Sequence, residues 1–594
     1  MARYHRRPTG SYTQKRSHRV ERVDRVNIMI GGFIVMAVLV SLRLFIVQIW
    51  EHSFYEALAS GQHELEQKLL PARGEIFAQD RFASDGLAVI ATNRTLSHVY
   101  LNPKQIDDPV KVAETIAPIL GMDPAVIEER ASKENDLYEP LKHEVGDQEV
   151  EALDAAIEEM NLKGVHTVEE EARYYPEGAT IGGLTGFVGI VDDERVGQYG
   201  LEGFFDHDLA GEAGSLSTEL DAFGRFIATA GKDLVEAKDG DMLVLTIDKN
   251  IQYTACSMLQ EAVERLNAKQ GSVIIMNPST GAIIVMCNAP LYDPNYYGDV
   301  EDVGVYLNDA ISDQYEPGSV FKPITMAAAI NEGQITPYTT YEDTGSVTIG
   351  QYTMRNSDGK ASGVVDMTNV LENSLNTGAI FAVQKVGNER WYDYVEAFGF
   401  GDRTGIQLSG ENPGDISSVG LKKDIYSATS SYGQGLTVTP LQMLQSYAVL
   451  ANDGVMMKPY IVERVVNASG FQLETEPEEI SRPITAETAR TVGAMLVRVI
   501  DGGHAVKAAV DGYFMAGKTG TAQVVKENGT GYDANRHKDT FVGYGPVSDP
   551  QFVMLVKIDE PANALWAASS AAPLFGDIAQ FLVNYMQIPP DRVD

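Results

Sequence analysis

The first strong pattern along the chain is an unbroken apolar run. Asn27 to Trp50 reads NIMIGGFIVMAVLVSLRLFIVQIW, with about 20 residues from Ile28 to Val47. At ~1.5 Å per helical residue this crosses the ~30 Å hydrocarbon layer of a membrane. Ala57-Leu58-Ala59 imitates a signal cleavage site, but a secretory signal has a shorter apolar core, so the run is read as a transmembrane helix. Residues 51–70 then predict a polar helical stalk, and PARGEIF (71–77), GLAVIATN and SHVYLNP predict extended structure. Within 108–160, DPVKVAETIAPILGM, DPAVIEERAS and DQEVEALDAAIEEM place apolar residues at helical spacing behind helix-start signals. Strand-like, glycine-rich pieces continue to about residue 240.

A second rhythm begins near EAKDGDMLVLTID (236–248). GSVIIMNPSTGAIIVMCNAP (271–290) alternates two apolar strands around a Pro-Ser-Thr-Gly turn and predicts a hairpin. DGYFMAGKTGTAQVV (511–525), DTFVGYGPV (539–547) and QFVMLVKIDEP (551–561) predict further strands, with residues 318–500 between them largely helical. Strands first and last with helices between predict an α+β domain whose antiparallel sheet closes around a helical insert. The expected organisation is a tail (1–26), a transmembrane helix (27–50), a mixed α/β pedestal (51–240) and a catalytic domain (241–594).

At 594 residues the chain needs more than one core, and 44% hydrophobic residues mark it as globular. Charge sharpens the topology. Residues 1–26 hold eight Lys/Arg against Glu21 and Asp24, a net of +6, which leaves −42 on the rest of a chain whose total is −36. Basic residues ahead of an apolar helix place the N-terminus in the cytoplasm and the remainder outside the membrane. The acidic body repels polyphosphates, so nucleic acid is not an expected partner. Arg43, in the last third of the span, has two readings: it snorkels to the outer interface, or it meets a second membrane protein. Cys256 and Cys287 could pair in an exported protein, but two cysteines make no disulfide framework, and they are read as small buried hydrophobes.

The chemistry lies in YEPGSVFKPIT (315–325). Pro323 and ITMAAAI start a helix near residue 320, which puts Ser319 at its positive end and Lys322 one turn on, on the same face. A serine hydroxyl needs a base, and lysine serves only if its pKa of ~10.4 is lowered by burial or a nearby cation. A second Ser-x-x-Lys, Ser357 to Lys360, sits in a polar turn with no helix behind it and is set aside. Ser374-Leu375-Asn376 is the chain's single Ser-x-Asn, and Lys518-Thr519-Gly520 its single Lys-[Ser/Thr]-Gly. The order S-x-x-K, S-x-N, K-T-G is that of penicillin-binding proteins and class A β-lactamases. In this scheme Ser374 relays a proton between Lys322 and the leaving amine, and Asn376 offers an amide to a substrate backbone. Lys518 keeps Lys322 neutral and attracts a carboxylate, to which Thr519 and Thr521 offer hydroxyls. Gly517 and Gly520 let substrate approach the strand. The backbone N–H groups of Ser319 and Thr521 form the expected oxyanion hole, whose single donors are typically worth about 3 kcal/mol. The ten histidines hold no His-Glu-x-x-His, no catalytic metal or cofactor is expected, and His504 and His537 are read as surface residues.

On these motifs, and on SYGQGLTVTPLQM (431–443), LTIDKNIQ (245–252), MNPSTGAI (276–283), RYYPEGATIGGLTGFVG (173–189) and GQYGLEGFFDHDLAGEAG (197–214), the chain resembles class B penicillin-binding proteins. FVGYGPVSDPQFVMLVKIDEP is closest to the cell-division (septal) type. The resemblance implies a peptidoglycan D,D-transpeptidase acting on stem peptides that end in D-Ala-D-Ala, with a β-lactamase-like catalytic domain. It also implies inhibition by β-lactams, and a membrane-embedded glycan polymerase and division proteins as partners. RGEIFAQDRFASDG (73–86) is a form of a family block stretched by extra residues. No glycosyltransferase apparatus is expected in 51–240, and no wall-binding repeat after the last strand.

Rival readings share the first half-reaction: a D,D-carboxypeptidase, a β-lactamase or a side-wall transpeptidase. Glu372-Asn373-Ser374-Leu375-Asn376 imitates the water-activating Glu-x-x-Leu-Asn of class A β-lactamases, but one loop cannot serve both motifs. An inactive scaffold or a β-lactam sensor is the non-enzymatic alternative; intact Ser319, Lys322, Ser374 and Lys518 speak against it, and 26 basic-tail residues hold no signalling apparatus.

Overall fold

The computed structural model describes residues 25–50, 64–133, 136–191, 194–219, 232–526 and 531–592. Most of the predicted basic tail and residues 51–63 of the predicted stalk fall outside these. The chain divides into two compact units: residues up to Leu69 with Ala213–Glu236, and Leu70–Glu212 with Ala237–Asp594.

In the first unit, helix α1 (Arg25–Phe45) runs into a π-helical turn (Ile46–Trp50). Ile28–Ile49 is long and apolar enough to cross a membrane, and Arg43 sits in the last turn of α1. The stalk expectation needs correcting at its end: Glu64–Leu69 is a strand, β1, which pairs with a later segment, Gly214–Glu219.

In the second unit, β2 (Ile76–Gln79) and the long β3 (Leu87–Leu101) are followed by helices α2 (Pro109–Leu120) and α3 (Pro124–Ala131). Asp108 caps α2 by accepting from Lys111 N–H, Pro109 fills its first position, and Gly121 ends it in the left-handed region (φ 64°). A strand absent from the sequence reading, β4 (Glu139–Val145), precedes α4 (Asp147–Met160) and β5 (Val165–Tyr174). β6 (Phe187–Val191) and β7 (Glu194–Gln198) form a hairpin. β8 (Gly214–Glu219) and β9 (Lys232–Val235) belong to the first unit, where they complete an antiparallel sheet in the order β1-β8-β9.

β10 (Met242–Asp248) leads into α5 (Lys249–Leu266), capped by the Asp248 carboxylate, and then into the predicted hairpin, β11 (Gln270–Met276) and β12 (Ile283–Ala289). The helical insert contributes α6 (Lys322–Asn331), α7 (Met367–Glu372), α8 (Asn376–Val386) and α9 (Pro440–Ala451), interrupted between 340 and 366 by a small hairpin and the short strand pair that encloses it. Strands β13 (Val462–Val466) and β14 (Gln472–Glu474), helix α10 (Ala486–Gly502), strands β15 (Ala516–Val525), β16 (Tyr532–Gly545) and β17 (Phe552–Asp559), and helix α11 (Ala571–Tyr585) complete the unit.

Two sheets organise this unit. A mixed sheet runs β14-β13-β10-β2-β3-β4, with β5 also paired to β3. It joins strands on both sides of the expected border at 240, since β10 pairs in parallel with β2 and antiparallel with β13. The second sheet is antiparallel in the order β12-β11-β17-β16-β15. Every residue of β17 is buried, so helices cover both faces of that sheet. α9, capped by a Thr439–Gln442 box, is buried from Pro440 to Ala451 and forms the centre of the core.

The cysteines depart from expectation. Cys256 on α5 and Cys287 on β12 are buried, and they form a disulfide with Cα atoms 5.6 Å apart, at a sequence separation of 31. Closing a loop of that length removes about 3–4 kcal/mol of unfolded-state entropy. Denaturant unfolding with and without reductant is expected to differ by that amount; coincident curves would refute it.

Candidate active site

Ser319 lies in a 3₁₀ turn, Gly318–Phe321, that opens directly into α6. Proline at 323 suits the first turn of that helix, as the sequence predicted. The turn packs against β15: a Cβ on Gly520 would stand 2.9 Å from Pro317 O and 3.0 Å from Val320 Cγ1. A Cβ on Gly517 would stand 2.6 Å from the Phe541 ring. Gly520 thus lets the strand approach the serine turn, and Gly517 lets Phe541 of β16 pack against that strand.

Lys322 is fully buried. Its Nζ donates to the carbonyl of Ser374 and lies 3.1 Å from Ser374 Oγ. Lys518 Nζ approaches the same Oγ from β15, also at 3.1 Å, and donates to Thr519 O at 3.1 Å. Two lysine amines thus converge on one hydroxyl. Ser374 reaches this point from the link between α7 and α8, in the left-handed region (φ 54°), where a residue with a side chain is held only by its surroundings. Burial, and then the charge of Lys518, hold the Lys322 pKa well below the ordinary lysine value. Burial alone brings Lys518 down to about 7.

Ser319, Asn376 and Thr521 share a cavity of about 550 Å³, with Arg355, Tyr432 and Trp566 among its walls. The Asn376 amide donates to Arg355 O at 2.8 Å, and Thr521 Oγ1 accepts from Ala567 N–H at 3.1 Å. Thr519 and Gly520 are buried within β15. β15 is the end strand of its sheet, so one backbone edge is left for an extended peptide to pair with.

His537 corrects the sequence reading, which placed it on the surface. It stands opposite Gln523 in the β15–β16 register and lines the cavity. Its Nδ1 lies 3.0 Å from Asp539 Oδ1, and that hydrogen bond leads the causes that raise its pKa. Asp539, fully buried and opposite Thr521, also accepts from Ser570 Oγ at 2.5 Å. His537 and Asp539 share one face of β16, two residues apart, and Ser570 joins them from the start of α11. His504 is exposed, as expected.

Residues 271–580 match the family model of the penicillin binding protein transpeptidase domain, and residues 68–245 that of the penicillin-binding protein dimerisation domain. Stage V sporulation protein D of Bacillus subtilis is 30% identical over 95% of this chain and 86% of its own length. Penicillin-binding protein PbpB of Mycobacterium tuberculosis is 30% identical over 94% and 84%. Among solved structures, penicillin binding protein 3 of Mycobacterium tuberculosis, complexed with aztreonam, superposes with a TM-score of 0.67 at 28% identity, covering 89% of this chain and 98% of that one. With two lysine amines brought onto Ser374 beside the Ser319 cavity, and both domain models matched in order, the chain belongs to the penicillin-binding protein transpeptidase family, as a class B member of the cell-division type.

Proposed function

We propose that this chain is a peptidoglycan D,D-transpeptidase of the division septum that works through an acyl-enzyme on Ser319. The observation that carries the mechanism is the meeting of Lys322 and Lys518 at Ser374 Oγ, beside the cavity that holds Ser319. A relative from Mesostigma viride, 31% identical over 72% of this chain, bears the name peptidoglycan D,D-transpeptidase FtsI homolog, which supports the same substrate class.

Neutral Lys322 takes the Ser319 proton as Oγ attacks the carbonyl carbon of the penultimate D-alanine. The oxyanion is held by the N–H groups of Ser319 and Thr521. The C–N bond breaks, and a proton passes from Lys322 through Ser374 to the departing D-alanine nitrogen. An acceptor amine then attacks the ester, and the proton it sheds returns to Ser319. Lys518, Thr519 and Thr521 hold the terminal carboxylate, Gly520 keeps the strand against the serine turn, and Asn376 faces the donor backbone. The proposed borders are 1–26 (cytoplasmic tail), 27–50 (membrane helix), 51–240 (pedestal) and 241–594 (catalytic domain outside the membrane). A membrane glycan polymerase and division proteins are the proposed partners.

Glu372, the residue that imitates a deacylating glutamate, lies at the end of α7 with its carboxylate 3.1 Å from Arg498 Nε. That engagement supports transfer over hydrolysis. Feeding donor stem peptides with an acceptor amine is expected to yield cross-linked dimer; release of free acid alone would assign a carboxypeptidase instead.

The site also predicts a pH profile. The carboxylate anchor needs Lys518 charged, so second-order acylation by penicillin is expected to fall as pH rises through about 7. Lys518→Arg, charged throughout, is expected to move that descending limb upward. A limb unmoved by the substitution would dissociate Lys518 from the anchor.

A further inference from the structure

At its outer end, the mixed sheet packs one face against α2–α4 through Val99, Leu101, Val145 and Val165. Residues alternate across a strand, so His98 and Tyr100 of β3 belong to the other face. Register matters here. Ser97 pairs with Val145 and Val99 with Lys142, so His143 and Glu144 together stand opposite His98 alone. Such a bulge re-aims side chains. Glu144 takes up the irregularity at φ 58°, and its N–H donates to Glu170 Oε1 on β5 at 2.7 Å. The result brings three donors of different strands together. The His98 and His143 rings lie 3.9 Å apart, and His143 Nδ1 lies 2.9 Å from Glu170 Oε2.

We propose that His98, His143 and Glu170 form a binding site for a zinc-class divalent metal ion that ties β3, β4 and β5 together. One donor atom from each residue lies within 4.8 Å of the other two. Ligands of a tetrahedral ion at ~2.0–2.1 Å stand about 3.4 Å from one another, so each donor moves by roughly 1 Å or less, with the two rings splaying apart. Two imidazoles and one carboxylate suit zinc far better than magnesium or calcium, which take oxygen ligands.

The surroundings are those of a sheltered site. His98 is 3% exposed, and the side chains of His143 and Glu170 are 26% and 12% exposed. Tyr138 OH lies 3.3 Å from His98 Nδ1, a partner of the kind that fixes the tautomer of a ligating imidazole. Arg195 Nη2 stands 3.2 Å from Glu170 Oε2 and 4.0 Å from Glu144 Oε1, which orients the carboxylate but competes for it. The ligands are 45 and 27 positions apart in sequence, so no zinc motif announces them. The site stands on the mixed sheet, apart from the sheet that carries Lys518, and its role is structural.

The test uses untagged full-length protein in detergent, stripped with EDTA. Titration with Zn²⁺ by calorimetry is expected to give one ion per chain and a raised unfolding temperature, and Co²⁺ is expected to give a tetrahedral visible spectrum. His143→Ala and Glu170→Gln are each expected to weaken binding at least ~100-fold, given that even outer partners of a metal are worth ~10–100-fold. Penicillin labelling of Ser319 should persist in both, as the control for folding. In the wild-type chain, Zn²⁺ should also shield His143 from diethylpyrocarbonate, a readout that needs no variant. Absence of saturable Zn²⁺ binding, binding kept by both variants, or His143 modified equally with and without metal would overturn the proposal.

Discussion

Ser319→Ala is expected to leave the chain folded and wholly unable to take a covalent penicillin label. The hydroxyl sits at a cavity wall, so losing it creates no void in the core. Lys322→Ala is expected to slow acylation by about 10²–10⁴-fold, the usual worth of a positioned general base. The lysine variant carries a second consequence. It removes one of the two amines that stand 3.1 Å from Ser374 Oγ, so Lys518 alone remains at that hydroxyl. Quantifying the fluorescent penicillin adduct against time reads both effects. A stable adduct on Ser319→Ala, or an unchanged rate on Lys322→Ala, would end the mechanism proposed above.

The largest stability effect is expected far from that chemistry, at Glu202. Its carboxylate is completely buried and lies 2.7 Å from Arg73 Nε and 2.7 Å from Arg173 Nε, with Tyr175 OH at 3.3 Å. Burial pushes the Glu202 pKa up; the charges of Arg173 and Arg73 more than reverse this and hold it below the ordinary value. Glu202→Ala leaves the buried Arg173 guanidinium without its carboxylate, and Arg73 with Asp206, 2.9 Å away, as its remaining ion pair; uncovering Arg173 costs about 3–5 kcal/mol. Denaturant unfolding would read this directly, and a loss below ~1 kcal/mol would show that water relieves the arginines. The sign of the linkage follows from the depressed pKa. The stabilisation is complete above the unfolded-state value of ~4.3 and disappears as pH falls through the folded-state value.

The chemistry was legible because its motifs are local. Ser319 and Lys322 share a helical turn, Ser374 and Asn376 bracket a helix start, and Lys518 to Thr521 lie on one strand, so short spacing predicts much of their geometry. The helices of 108–160 were legible from their caps. What escaped was whatever strand pairing brings together. His537 reaches the cavity only because β16 pairs with β15 in one register. Cys256 and Cys287 meet because α5 lies on β12, and composition offered no sign of that. Arg73, Arg173 and Glu202 each fell inside a block noticed for its resemblance, yet nothing in one dimension says that the three blocks share a buried charge cluster. β4 was missed because EPLKHEV holds only two aliphatic side chains besides its proline, too few to display a period.

The shared mixed sheet bears on how the molecule can be dissected. Leu243 and Val244 pair with Ile76 and Phe77, so shortening the chain to residues 241–594 would strip β10 of a neighbour and leave a raw, aliphatic border. Leu243 and Leu245, fully enclosed in the intact protein, would lie along or beside it. Such a fragment is poised to stack with its own copies, since naked strand edges recruit others. The catalytic half therefore borrows its solubility from the segment that precedes it.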